Sequence, residues 1–245
     1  MHVIPAASYV RLKHALSALA LDAVRGRPAA RAAARRLEAF WLAEGTPDGL
    51  RAAPGGPGLH AVPGGRGNAG RGDAGLRRLL RDGLLERSGG SLAFPEGYRP
   101  HAAYARRQAL RLAGALRALD ARPRRRGHRA AVARGAALFD AGLFFECHEF
   151  FEEIWRRALP ADRAFYQGII LVAAAFYHYE KGTAHGARVK LAEGMKRLRR
   201  CPPVHRGVRV DAWLERLEPW MVRVAGGEAG RALAAHEIPT IPLAD

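Results

Sequence analysis

The sequence has very little of what staples, spans or activates a protein. Two cysteines occur in 245 residues, Cys147 and Cys201, with no Cys-x-x-Cys spacing between them. A disulfide framework is therefore excluded, and a reducing, cytoplasmic compartment is expected. Neither cysteine has the flanking pattern of a catalytic thiol. The longest apolar run, Gly168 to Tyr177, is about half of the ~20 residues a membrane span needs. Arg11 and Lys13 interrupt the only stretch that could have served as a signal peptide, so none is expected, and no membrane partner either. There is no Walker loop, no Gly-x-Gly-x-x-Gly after a strand and no Gly-x-Ser-x-Gly elbow, so nucleotide hydrolysis and serine-esterase chemistry find no support.

What the chain does have is apolar mass and positive charge. Apolar residues make up 49% and charged residues 26%, enough for a core in one large domain or two modest ones. Basic side chains number 40 against 23 acidic, a net charge of +17, and all but four of the basic residues are arginine. Arginine with abundant Ala, Gly and Pro and a single asparagine, Asn68, is also what a GC-rich coding sequence produces. The charge is uneven: residues 1–129 carry 24 basic and 9 acidic side chains, whereas residues 130–245 carry 16 and 14. The first half repels itself unless anions lie on it, which makes nucleic acid or another polyanion its expected partner.

Periodicity predicts a mainly α protein: a basic helical N-terminal region (1–121), a basic linker (122–129), a C-terminal multi-helix bundle (130–226) and a less ordered tail (227–245). Leu12, Leu16, Leu19 and Ala23 share one face of a first helix, and Leu37, Phe40 and Trp41 one face of a second that starts at Pro28. A Gly/Pro-rich loop follows over 45–75. A short helix from Leu76 then leads into a hairpin over 84–94, turning at Ser88-Gly89-Gly90-Ser91. A basic helix running into a hairpin resembles the last helix and wing of a winged-helix DNA-binding domain. The long loop before it departs from the turn of about 3–4 residues that a helix-turn-helix uses. Arg77, Arg78 and Arg81 on that helix, with Arg124, Arg125 and Arg126 in the linker, are the candidate nucleic-acid contacts. Another basic helix is predicted over 98–119.

The densest signal lies further on. The segment Ala136–Trp155 reads as a helix, a stop at Gly142 and a second helix. On the second helix Phe144, His148, Phe151 or Glu152, and Trp155 share a stripe flanked by Glu146, Glu149 and Glu153. The next helix places Gln167, Leu171, Ala174 and His178 on one stripe and is stopped by Gly182. Gly168 and Ala173–Ala175 are small enough to admit a close helix neighbour. The paired motifs Phe139-Asp-x-Gly-x-x-Phe-Glu-x-His-Glu-x-x-Glu-x-x-Trp155 and Tyr166-Gln-Gly-Ile-Ile…His178 are similar to the family known as domain of unknown function 309. The likeness covers about residues 130–200 and leaves the first 120 outside it. It implies a small all-helical bundle, with no established activity, and a candidate polar site at Glu146, His148, Glu149, Glu152, Trp155, Gln167 and His178. Asp140 stands where the family more often has Asn.

Three functions compete for those residues. A buried hydrogen-bond network joining His148 to Glu152, Gln167 and His178 would pin two helices and make the protein a non-catalytic accessory or binding protein. A divalent metal (zinc, manganese or iron) held by His148, Glu149, Glu152 and His178 would support hydrolysis, with Glu149 or Glu152 as base. Repeated helix–glycine–helix units resemble tetratricopeptide-like hairpins that could hold a protein or peptide partner, although two are fewer than a solenoid needs.

Overall fold

A computed structural model describes residues 6–43, 73–88, 90–122 and 125–244. Among them are nine α-helices and two small two-stranded hairpins, so the protein is mainly α. The chain divides into two compact units, the first ending at Leu116 and the second starting at Arg117.

In the first unit α1 (Ala7–Val24) packs on α2 (Pro28–Ala43), and α2 on the eight-residue α3 (Ala74–Arg81). Leu12, Leu19, Leu37, Trp41 and Leu79 are buried, matching the faces that the apolar spacing predicts. Asp73 caps α3 by accepting the Leu76 N–H at 3.0 Å. A Cβ on Gly75 would stand 2.7–2.8 Å from the backbone of Ala32 and Ala33, so only glycine lets α3 lie so close to α2. Nearly all of the expected Gly/Pro-rich loop lies outside the described residues, and Gly75 itself is helical. The predicted hairpin is present, with β1 (Glu86–Ser88) antiparallel to β2 (Ser91–Ala93). A 3-10 turn (Glu96–His101) leads into α4 (Ala102–Ala121), within which the unit boundary falls.

The second unit contains α5 (Gly127–Asp140), α6 (Phe144–Arg156), α7 (Pro160–Glu180), α8 (Ala184–Leu198) and α9 (Val210–Ala225), each packed on the next in order from α5 to α9. Both predicted glycine stops are Schellman closures. Gly142 (φ +77°) donates to Phe139 O at 2.8 Å while Leu143 donates to Leu138 O at 2.9 Å. Gly182 (φ +74°) and Thr183 repeat the pattern on Tyr179 O and His178 O. Phe139 sits at the centre of the core, its ring 5.2–5.5 Å from those of Phe144, Phe176 and Trp213 in edge-to-face or near edge-to-face contact. The small-residue expectation holds: Gly168 faces Leu198 and Gly194 of α8 across a gap that a Cβ would close to 2.7 Å.

Two expectations about the ends of this unit need correction. The described residues of the expected linker are tied to the second unit: Arg122 reaches Asp140 at 3.2 Å, Arg125 donates to Ala244 O at 2.7 Å, and α5 already starts at Gly127. Nor does the segment after Gly226 trail away. Trp213 Nε1 donates to Pro239 O at 2.8 Å, Ile238 and Ile241 are buried, and Leu243 bridges to Val208 beside a hairpin of β3 (Val204–His205) and β4 (Val208–Arg209). Apolar residues too sparse to show periodicity still find core positions when the rest of the bundle is folded.

Candidate functional site

The polar motif lies on the hairpin of α6 and α7. Burial on α6 falls on Phe144, Cys147, Phe150 and Phe151, which turns the adjacent stripe partly to solvent. Phe145, His148, Glu149, Glu152 and Trp155 are all half-buried, and so are Gln167, Leu171, Ala174, Tyr177 and His178 on α7. Phe145 and Tyr177 meet in a tilted ring contact with centroids 5.7 Å apart near one end. Towards the α6–α7 connection the Arg163 guanidinium sits 5.9 Å from the Trp155 ring.

This placement corrects the expected buried network. The side chains of His148, Glu149 and Glu152 are 30%, 40% and 30% exposed. His148 Nδ1 lies 3.3 Å from Glu149 Oε1, and Glu152 accepts from Arg156 Nη2 at 2.9 Å instead of from histidine. One donor atom from each of His148, Glu149 and Glu152 nevertheless falls within 4.8 Å of the other two, the only such metal-capable group among the described residues. His178 is not in it. Its Nδ1 is 2.9 Å from Thr183 Oγ1, whose hydroxyl donates to His178 O at 3.0 Å, so this histidine closes the turn between α7 and α8. Burial, and then Lys190, depress its pKa. Glu146 belongs to the core: it is buried in the first turn of α6, where the helix dipole favours a carboxylate.

The candidate nucleic-acid residues also separate. Arg78 is drawn inward, with Nη1 2.9 Å from Asp22 and a second ion pair to Asp82. Arg77 and Arg81 are exposed on α3, and Arg81 pairs with Asp82 at 3.1 Å. Arg126 is exposed just before α5, and Arg124 lies outside the described residues.

Sequence reasoning missed a buried polar cluster of the second unit. Asp162, in the first turn of α7, is buried and accepts from His205 Nε2 at 2.9 Å and from Arg206 Nε at 2.8 Å. The Arg206 and His205 bonds hold its pKa below the ordinary carboxylate value. Arg206 adopts φ +49°, the one non-glycine residue in the left-handed region among the described residues. Proline at the first position of α7 and an acid two residues later is a readable helix start. Partners more than forty residues away leave no local signal.

The fold and this face define a helical domain with a half-exposed His/Glu stripe on one hairpin and a core of aromatic rings. Residues 132–189, from α5 into α8, match the model of the family described as Domain of unknown function (DUF309). The chain also resembles the uncharacterized protein YpuF of Bacillus subtilis (strain 168), with 35% identity over 54 residues. That alignment takes in 22% of this chain and 31% of the relative, so less than a third of the relative's length is spanned. No solved structure matches. No helix among the described residues is long and apolar enough to cross a membrane.

Proposed function

We propose that the second unit is a non-catalytic binding module that takes up one divalent transition-metal ion through His148, Glu149 and Glu152. The convergence of their donor atoms within 4.8 Å on about one turn of α6 carries this reading. Metal–ligand bonds of about 2.0–2.2 Å would require those atoms to close up by an ångström or more. Both glutamates are exposed enough to rotate, and Glu152 would exchange Arg156 for the ion. One imidazole and two carboxylates suit zinc, manganese or iron(II). Coordination positions on the solvent side stay open to a donor from a partner or small molecule. Both carboxylates that could have acted as a hydrolytic base are used as ligands, which favours binding over hydrolysis.

The test is metal content of the full chain after loading with zinc or manganese and exhaustive dialysis, beside His148→Ala. One equivalent in the wild type and none in the variant is the expected result. Metal at background in the wild type, or equal content in both proteins, refutes the reading.

A further inference from the structure

We propose that the first unit binds duplex DNA through the exposed face of α3 and the β1–β2 hairpin. The sequence alone argued against this, because a long segment separates α2 from the helix before the hairpin. The fold removes the objection: α3 packs on α2 at near-contact distance through Gly75, whatever lies between them in sequence. Two packed helices with a hairpin after the second is the order in which winged-helix domains present a helix to the major groove. Eight residues make α3 about 12 Å long, comparable to the width of that groove.

The arginines on α3 divide by role. Arg78 is held by Asp22 and Asp82 and braces α3 against α1, so it is a scaffold residue. Those two carboxylates thereby lose much of their capacity to repel an anion. Arg77 and Arg81 stay on the solvent face of α3, and Arg87 is exposed on β1. Arg87 and Arg11 of α1 line one open cavity of about 620 Å³ together with Leu80, Leu85, Tyr98 and a single carboxylate, Glu86. Three exposed guanidiniums on one helix and its hairpin, with a fourth from α1, form a cationic face suited to successive phosphates. Phe40, Trp41 and Phe94 are buried, and Tyr98 is the half-exposed ring that lies in the cavity with Arg11 and Arg87. The length of α3, about the width of the major groove, favours a duplex over a single strand.

The experiment is fluorescence anisotropy of a labelled random-sequence duplex with the full chain, between about 50 and 200 mM salt. Four arginine–phosphate contacts predict a log–log salt slope of about −3.6, and Arg81→Ala/Arg87→Ala should reduce its magnitude by about 2 and weaken binding. Arg157→Ala/Arg200→Ala removes the same charge from exposed positions of the second unit and should leave both nearly unchanged. If the double alanine variant loses helical structure, Arg81→Lys/Arg87→Lys replaces it. That variant should keep the slope while losing bidentate contact and part of the affinity. Absence of binding, an equal loss in the control pair, or tighter binding to single strands overturns the proposal.

Discussion

Replacing Asp140 by asparagine isolates an electrostatic cost at a point where three segments meet. Asp140 ends α5, accepts the Ile241 N–H at 2.8 Å and lies 3.2 Å from Arg122. Burial dominates its surroundings: the pKa rises from 3.8 to about 6 even though the Ile241 bond and Arg122 act in the opposite direction. At about 1.4 kcal/mol per unit, the shift corresponds to about 3 kcal/mol. The folded chain holds this proton more tightly than the unfolded chain does. The stabilisation is therefore complete below about pH 4 and lost as the pH rises through about 6. Asparagine keeps an acceptor for Ile241 and has no proton to lose. Urea unfolding of both proteins from pH 4 to 8 cancels the carboxylates they share. The wild type should lose about 3 kcal/mol relative to Asp140→Asn across that range, with roughly 1 kcal/mol of uniform offset for the lost Arg122 hydrogen bond. A flat difference curve, or one sloping the other way, would refute the reasoning.

Further perturbations separate packing, latch and site. Gly194→Ala brings a Cβ within 3.0 Å of Gly168 O and of the Val172 N, so α8 must move off α7 at a cost of about 1–3 kcal/mol in urea unfolding. Asp162→Ala removes the acceptor shared by His205 and Arg206 and should cost about 2–3 kcal/mol at neutral pH. Because the Asp162 pKa is depressed, its contribution exists above the ordinary carboxylate range and disappears in acid, so variant and wild type should converge as the pH falls. His148→Ala leaves the core untouched and should shift the melt by less than that of Asp162→Ala; a larger loss would restore a structural role to His148.

The helices of the second unit, their two glycine ends and the face that α7 offers to α8 could be read from the sequence. Each depends on residues within a few positions of one another: a 3.6-residue period, a left-handed closure at Gly142 or Gly182, a Gly168 with no Cβ. The likeness to the unknown-function family was legible for the same reason, since its two motifs occupy adjacent helices. Periodicity places His148, Glu149 and Glu152 on a stripe, but it does not say what covers that stripe. That depends on which helices pack where, and here the stripe is left half open. The packing also assigned Asp162 to His205 and Arg206, and Asp140 to the backbone of Ile241. In the first unit it brought α3 against α2 despite the long segment between them. Such contacts join positions distant in the chain, and only the folded core fixes which polar groups meet and which remain in water.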